Sequence, residues 1–452
     1  MKKLALLSLV VILVLSAIFT GCTKEEPAPT TAPTSKPAPT SEPAPTSKPA
    51  PTSEPAPTSK PAPTSEPAPA AKDKIVVGYV DAFTGVFAPA PLLWGTVWME
   101  TLIAEYNDDG GLYVPEYGKK LPIELKKYDS KSDTETLIRL TEKLMAEEEV
   151  DLMFAPWGTS QNFAVLSLYE KHQYPMLPHA MGSGQIVDLI NSGGAKWVFP
   201  VLCQPPYVAQ YVADFFEWAG AERIGIIGIS DLHGIEFTGQ VKAALASRDI
   251  SVEVGPELYP LTVSDLSPII KKLQEANVDT LWASTYPEDG GLLVKQCMDL
   301  GYSPKIMIMG PGSQYPLVMI PAFGVEAITG IMEYHGFEVD FNSSPELLAL
   351  AEKYKEAVGG YPGSNTIAAY VCYEALFKAV EKYGLDREKI RDALATETFE
   401  TVLGPAKWNW ESVFLDVPGA GYLAQWQGEE MLKVVWPSDR ASADWIPKPD
   451  WP

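Results

Sequence analysis

The stretch that decides the fold is residues 150–160, which read VDLMFAPWGTS. It opens with a short apolar run ending at Ala155, which has the length of a buried β-strand. Pro156 and Gly158 are residues that end a strand, and Thr159 is a residue type that begins helices. Strand, turn and helix thus follow one another directly, and this order is typical of a βα unit.

The same alternation continues on both sides of that stretch. The first series has predicted strands at 75–80, 121–129 and 151–155, and helices at 93–107 and 133–148. After Pro200 a second series has helices at 207–219, 234–247, 266–276 and 290–300, and strands at 223–229, 251–258, 279–284 and 305–309. Alternating strands and helices predict parallel sheets with crossover helices. Two separate series predict two α/β lobes.

The predicted topology also indicates where a ligand would bind. In open α/β sheets, ligands lie beyond the carboxyl ends of the strands. The relevant turns follow Ala155, Leu177, Ile229, Ser284 and Met309. Aromatic residues are frequent around these turns and favour an apolar or aromatic ligand, although ordinary core packing is expected for about half of them. They are Phe83, Phe87, Trp94, Trp157, Tyr286 and Tyr315.

The N-terminus has the pattern of an export signal. Lys2 and Lys3 precede an apolar run that ends in Thr20-Gly21-Cys22. This run is too short for a convincing permanent span, so residues 1–21 are predicted to be a signal peptide. A cysteine directly after a small residue is the place where a lipoprotein signal attaches its acyl chains, so Cys22 is the predicted lipidation site.

Residues 22–71 have a different composition from the rest of the chain. The motif PAPTSK alternates with PAPTSE in this segment, and nothing there is apolar enough to form a core. Its prolines favour extended polyproline II structure, at about 3.1 Å per residue. We therefore expect a disordered stalk between the lipidated cysteine and a globular part that begins near Lys72.

The charge and the cysteines exclude some functions. The chain carries 35 Lys and Arg against 58 Asp and Glu, a formal net charge of −23, which argues against nucleic-acid binding. Cys203, Cys297 and Cys372 show no CxxC spacing, so neither a zinc site nor a disulfide framework is predicted. One disulfide among them or three free thiols both remain open. No metal and no cofactor are expected.

Residues 133–160 resemble the type I solute-binding proteins of ABC importers, in particular the branched-chain (hydrophobic) amino acid and amide class. Further matches support the resemblance across nearly all of the chain after the stalk. They are Gly78–Gly85, Tyr174–Leu177, Trp197–Phe199, Asp279–Gly290, Gly301-Tyr302, Gln425–Gln427 and Val434–Pro437. The motifs are individually short, and their order and spacing carry the resemblance.

The resemblance implies a two-lobed type I periplasmic-binding-protein-like fold. Three hinge crossings are expected, near Pro200, near Gly330–Tyr334 and near Thr398–Gly404. Lobe 1 would comprise 72–200 plus about 333–397, and lobe 2 would comprise 201–332 plus about 398–452.

The resemblance also implies a function. The protein would be held by lipid on the outer face of the cytoplasmic membrane, or be periplasmic. It would close on its ligand and deliver it to an ABC permease with cytoplasmic ATPase subunits. The chain lacks a GxxxxGK[ST] motif, so ATP hydrolysis is not expected of the chain itself.

In the resembling family, the first lobe holds a ligand carboxylate with hydroxyls and backbone N–H groups. The corresponding turns here supply Trp157, Gly158, Thr159 and Ser160, and then Ala180, Met181, Gly182 and Ser183. N–H groups at the start of a helix suit an anion. Thr159 is also a residue type that caps helices, so capping is the structural alternative for it.

On the second lobe, the resemblance implies ligand contacts from His233, Thr285, Tyr286, Gly312 and Ser313. Amino-acid binders of this class often carry an acidic side chain near the position of Gly312, where it pairs with the ligand ammonium. A glycine cannot do so, and an unpaired buried ammonium is costly. The ligand is therefore expected to be a small apolar or aromatic carboxylate or amide, or a hydrophobic amino acid if Asp81, Glu288 or Asp289 replaces the missing acid.

The sequence also bears on two other functional classes. The HExxH and GxSxG motifs are absent, so an enzyme is not expected, and a cleft or surface role is preferred for His233 over a metal or acid/base role with Glu236. The second alternative is a sensor component that reports ligand occupancy to a separate signalling receptor. Coprecipitation with permease subunits would distinguish import from sensing.

Overall fold

A computed structural model describes residues 72–452. The predicted signal peptide and stalk, with Cys22, lie outside the described residues. Within residues 72–452, no helix combines the length and the apolarity that crossing a membrane requires.

The first lobe is built on a small parallel sheet. Its central strand is β1 (Ile75–Asp81), which pairs with β4 (Ile123–Asp129) on one side and β5 (Leu152–Phe154) on the other. Val and Ile dominate β1 because both faces of the strand are buried. A short hairpin and four helices complete this part: β2 (Leu112–Val114), β3 (Lys119–Leu121), α1 (Val97–Asp108), α2 (Thr134–Glu142), α3 (Thr159–His172) and α4 (Gly184–Asn191).

The second lobe contains a seven-stranded sheet that is mainly parallel. Its strand order is β15-β14-β10-β9-β8-β6-β7, and only the β10–β14 and β14–β15 pairs are antiparallel. The strands are β6 (Ile224–Ile229), β7 (Val252–Tyr259), β8 (Thr280–Thr285), β9 (Ile306–Pro311), β10 (Ile331–Glu338), β14 (Gly421–Gln425) and β15 (Lys433–Trp436). The helices are α5 (Pro205–Ala219), α6 (Leu232–Ala246), α7 (Ser267–Glu275), α8 (Pro287–Asp299) and α9 (Pro316–Ile328). Two α/β lobes with mainly parallel sheets, as predicted, are confirmed.

Between β10 and β14 the chain returns to the first lobe. This segment contains α10 (Pro345–Val358), α11 (Ala368–Tyr383), α12 (Arg387–Thr396), β11 (Phe399–Thr401), β12 (Gly404–Asn409) and β13 (Phe414–Asp416). Side chains of these elements share one hydrophobic core with β1 and α1. Trp98 on α1, for example, stacks on Phe341 and contacts Tyr354 on α10.

Two of the predicted lobe boundaries need correction. All of β10 belongs to the seven-stranded sheet, so the chain leaves the second lobe after Glu338 and not at about 333. Strands β11 and β12 pack on the first lobe's core, so the return lies near 417–421 and not at about 398. In both places, the lobe to which a strand belongs is decided by its pairing or packing with residues that are distant in the sequence. The crossing near Pro200 remains a prediction; the Pro200 carbonyl accepts from Trp408 Nε1 at 3.0 Å.

The three cysteines of the described part, Cys203, Cys297 and Cys372, are buried and free. The question that the sequence left open is therefore answered in favour of thiols.

Candidate functional site

A cavity lies between the two lobes. Both lobes contribute to its wall, which is mostly aromatic and apolar. The lining residues are Trp94, Trp157, Gly158, Thr159, Ala180, Met181, Gly182, Leu202, His233, Tyr286, Pro311 and His335. Nine of these belong to the set predicted from the sequence, so the structure brings most of the predicted residues to one place. Their contact with a ligand remains a prediction.

The wall from the first lobe is fixed by the turn between β5 and α3. The N–H of Trp157 donates to Asp81 Oδ2 at 2.8 Å, which holds the indole beside the cavity. Gly158 has φ of 96°, a backbone conformation that favours glycine over residues with a Cβ. The Thr159 hydroxyl accepts from the Gly182 N–H at 3.2 Å. This hydrogen bond joins the turn after β5 to the turn that precedes α4.

The wall from the second lobe is fixed by Asp231. Its Oδ1 accepts from the Gly234 N–H at 2.8 Å and so caps α6, while its Oδ2 accepts from the Tyr286 hydroxyl at 2.6 Å. This arrangement places the rings of His233 and Tyr286 in a stacked pair, with centroids 5.8 Å apart. Tyr286 in turn approaches Trp157 across the cavity, with centroids 5.8 Å apart.

The cavity is polar only through neutral groups. Among its lining residues none is Asp, Glu, Lys or Arg. Burial lowers the pKa of His233 and holds the pKa of His335 well below its usual value, so both imidazoles are neutral near pH 7. Trp94 Nε1 and His233 Nε2 are buried and have no hydrogen-bond partner among the described residues. The Trp94 N–H can only donate, so it favours a ligand that supplies a hydrogen-bond acceptor, whereas His233 Nε2 can donate or accept according to the tautomer of the ring.

Asp81, Glu288 and Asp289, the candidate partners for a ligand ammonium group, do not line the cavity. Asp81 accepts from Tyr79, Ala82 and Trp157, and burial raises its pKa to about 7. Asp289 closes the first turn of α8 by accepting from the Tyr286 N–H at 2.9 Å. Glu288 is exposed on the same helix. None of the three replaces the acid that Gly312 cannot provide.

Two predicted residues of the first lobe lie elsewhere. Ser160 is exposed because it follows Thr159 on the outer side of the first turn of α3. Phe87 lines a separate cavity, which is also lined by Asp81 and shares Trp157 with the main cavity.

Four further predicted residues are buried behind the cavity wall. Ser183 donates through its hydroxyl to Glu236 Oε1 at 2.7 Å, so this group is already occupied. Ser313 donates to Met309 O and Glu333 Oε2. Gly312 packs so tightly on Thr285 that a Cβ there would collide with the threonine hydroxyl. None of the four lines the cavity, and their contact with a ligand remains a prediction.

Three lining residues, namely Leu202, Pro311 and His335, are not among the residues predicted from the sequence. A signal was available for His335. In β10 the polar residues Glu333 and His335 alternate with Met332 and Tyr334, which places both on one face of the strand. Leu202 and Pro311 are apolar and carry no comparable signal.

A carboxylate of the second lobe holds the N-terminus of α4 across the cleft. Glu236 on α6 accepts from the Ser183 hydroxyl, from the Gly184 N–H and from Gln185 Nε2. A negative charge at a helix N-terminus satisfies free N–H groups and is favoured by the helix dipole. We call this contact the Glu236 clasp, and it joins the two lobes.

Comparison with known families gives a match over most of the chain. A family model described as "periplasmic binding protein" matches residues 74–430. The Leu/Ile/Val-binding protein homolog 8 of Brucella abortus (strain 2308) is 28% identical over 240 residues. That alignment covers 50% of this chain and 59% of the relative's length, so the matched stretch spans less than two thirds of that relative.

Solved structures with the same fold bind different ligands. The substrate-binding protein of a branched-chain amino acid transporter from Streptococcus pneumoniae, in complex with isoleucine, has a TM-score of 0.66 at 17% identity. It covers 83% of this chain and 100% of its own. The solute-binding protein of an ABC transporter from R. palustris, in complex with benzoate, has a TM-score of 0.63 at 17% identity, over 78% and 94% of the two chains.

Proposed function

The chain belongs to the periplasmic binding protein family, and from this premise we propose that it is the solute-binding subunit of an ABC importer. Members of this family work outside the cytoplasm. In our proposal the two lobes close on a small, largely apolar carboxylate or amide and present it to a permease with ATPase subunits. The proposal includes lipid anchoring through Cys22, and it assigns no catalytic step to this chain.

One observation carries the ligand assignment: the cavity offers unpartnered hydrogen-bonding groups and no lining acid. Trp94 Nε1 can only donate, and it is aimed at no described partner. A carboxylate or carbonyl oxygen of a ligand would satisfy it. An α-ammonium group would have no counter-charge there, and burying an unpaired charge costs several kcal/mol.

The similar structures agree with this range of ligands without deciding within it. The same fold holds isoleucine in one protein and benzoate in another. At 17% identity the likeness concerns the fold alone, so the lining side chains of this chain are the basis for the choice. The aromatic wall of Trp157, Tyr286 and Trp94 suits a flat or branched apolar body.

The proposed function is tested by identifying what the protein carries. Protein purified without added ligand is denatured, and the released small molecules are identified by mass spectrometry. We expect an apolar carboxylic acid or amide that lacks an α-amino group. Near-stoichiometric leucine, isoleucine or valine would contradict the ligand assignment while leaving the binding role intact.

A second experiment separates import from sensing. Coprecipitation from membranes of the native host should recover permease and ATPase subunits with the chain. Recovery of a signalling receptor without permease subunits would favour the sensor alternative instead.

A further inference from the structure

A compact group of ligating side chains lies beside the cavity, where β10 meets the chain that returns to the first lobe. Glu333, His335 and Glu338 are each fully buried or nearly so, and one ligand atom from each lies within 4.8 Å of the other two. His335 Nδ1 is 3.0 Å from Glu333 Oε1. Within residues 72–452, neither glutamate has an ion pair with Lys or Arg.

These acids have no compensating charge among the described residues. Glu333 has hydrogen bonds with the His335 imidazole and the Ser313 hydroxyl, and Glu338 has hydrogen bonds with Ser364 and Asn365. None of these partners carries a fixed charge. Two carboxyl groups buried close together are unfavourable when both are ionised without a counter-charge, and a bound divalent cation would supply that charge.

Asn365 gives an independent indication of a ligand. It is fully buried, and its Nδ2 lies 3.4 Å from His335 Nδ1 and 3.3 Å from Glu338 Oε1. Its Oδ1 has no hydrogen-bond partner in the described part of the chain. Rotation of the amide by half a turn would place this oxygen between His335 and Glu338, and the two assignments differ only in which atom is named oxygen.

The outer oxygens of both carboxylates are already held. Ser313 donates to Glu333 Oε2 at 3.1 Å, and Ser364 donates to Glu338 Oε2. The other oxygen of each, Oε1, faces His335 or Asn365. Hydrogen-bonded ligands that present one free atom are the usual surroundings of a protein metal site.

We propose that Glu333, His335, Glu338 and Asn365 form a binding site for one divalent first-row transition metal ion, with Zn²⁺ as the ion that the donors suit best. One imidazole nitrogen and three oxygens fit zinc. The separations of 3.0, 3.3 and 3.4 Å are close to the edge of about 3.3 Å of a tetrahedron with bonds of about 2.0 Å. The most widely spaced pair would close inward on binding.

The site would link the two lobes. Glu333, His335 and Glu338 lie on β10 of the second lobe, whereas Asn365 precedes α11 of the first. His335 also lines the ligand cavity. A metal at Nδ1 would leave Nε2 as the nitrogen that carries the proton, and so fix this ring beside the ligand as a donor. The metal site does not depend on the proposed ligand.

Zinc binding is measured on the purified full chain without a histidine tag. The protein is stripped with a chelator, given one to three equivalents of Zn²⁺, desalted and analysed by mass spectrometry for metal content. We expect one Zn²⁺ per chain and a higher melting temperature. Glu338→Gln and Asn365→Ala should each weaken zinc binding 10-fold or more and remove the thermal shift. His335 is not varied because it also lines the cavity.

The chain supplies a matched control. His172 Nε2 lies 3.0 Å from Glu142 Oε1, in a histidine–glutamate pair of the same length that is only partly buried and lacks the second carboxylate and the amide. His172→Ala should keep one Zn²⁺ per chain. Stripped wild-type protein that retains no zinc, or variants E338Q and N365A that retain it fully, would overturn the proposal.

A spectroscopic measurement covers the case in which the variants do not fold. Co²⁺ is added to the stripped wild-type chain, and its visible absorption is recorded. Four-coordinate binding to nitrogen and oxygen gives intense d–d bands, and Zn²⁺ should abolish them by competition. A spectrum equal to that of Co²⁺ in buffer would refute the site.

Discussion

At the scale of single residues, two buried tryptophans can be compared, because one lines the cavity and the other does not. Trp94 Nε1 and Trp282 Nε1 both lack a hydrogen-bond partner among the described residues, but only Trp94 lines the cavity. A buried donor without a partner destabilises the folded protein. A ligand that accepts a hydrogen bond from the Trp94 N–H would explain why such a donor lies at the cavity.

Substitution of each tryptophan by phenylalanine tests whether the Trp94 N–H binds the ligand. Trp94→Phe keeps an aromatic ring and removes the N–H, so ligand binding should weaken by about 1.5 to 3 kcal/mol, the usual range for a hydrogen bond to a charged group. Trp282→Phe should leave affinity unchanged. Calorimetric titration of both variants with the released ligand provides the measurement, and equal affinities for Trp94→Phe and wild type would contradict the assignment.

Asp81 gives a prediction for pH. Burial raises its pKa to about 7 in the folded protein, from an ordinary value of 3.8. Between these two values the unfolded chain has released a proton that the folded chain keeps, so the free energy of unfolding falls as pH rises. The contribution is at most about 1.4 kcal/mol per pH unit.

Asp81→Asn should remove that contribution. Urea unfolding between pH 4 and 7 should then show a flatter pH dependence than wild type. Asp109 is exposed, and Asp109→Asn should keep the wild-type slope. An unchanged slope in Asp81→Asn would show that the carboxyl is already ionised in this range.

At the scale of elements, the Glu236 clasp connects α6 of one lobe with the start of α4 of the other. The contact requires the closed arrangement, so its loss should shift the balance toward open forms. A ligand that binds the closed form then loses apparent affinity in proportion to the lost population.

We therefore predict that Glu236→Ala weakens ligand binding about 3- to 10-fold, mainly through faster dissociation. Glu257 on β7 has an exposed pair with Lys272 at 3.0 Å and serves as a control, since Glu257→Ala should change neither rate. Stopped-flow dissociation supplies the test. Equal rates for Glu236→Ala and wild type would mean that the clasp does not contribute to closure.

The elements also show what the sequence can and cannot predict. The βα units were predictable because each depends on a local apolar run followed by a turn, as in residues 150–160. The boundaries of the lobes were not predictable from the sequence, because the sequences of β10 and β11 suit either lobe. The strands and side chains that they contact decide which lobe they join. Eight of the nine predicted cavity residues lie in turns or helix starts that follow strand ends, and Trp94 lies in a helical segment. Ser183 and Ser313 also follow strand ends, but their hydroxyls are hydrogen-bonded to Glu236 and Glu333. Hydroxyl chemistry alone does not distinguish these cases.

At the scale of the whole molecule, the proposed anchor determines where the two lobes work. Cys22 lies outside the described residues, so the evidence for the anchor is the sequence pattern of residues 1–22. We predict that Cys22→Ser abolishes labelling by a radioactive fatty acid and releases the protein from membranes. Cys297, a buried free thiol, is the control, since Cys297→Ser should be labelled as wild type. Undiminished labelling of Cys22→Ser would remove the anchor.

The central claim is that the cavity selects an apolar carboxylate and excludes the α-ammonium group. Calorimetric titration with matched pairs tests it most directly: 4-methylpentanoate against leucine, and 3-phenylpropanoate against phenylalanine. Each pair differs only in the amino group, so the difference in affinity reports its cost in the cavity. We predict that the acid without the amino group binds at least 10-fold more tightly, which is about 1.4 kcal/mol. Tighter binding of leucine or phenylalanine than of the matching acid would contradict the claim.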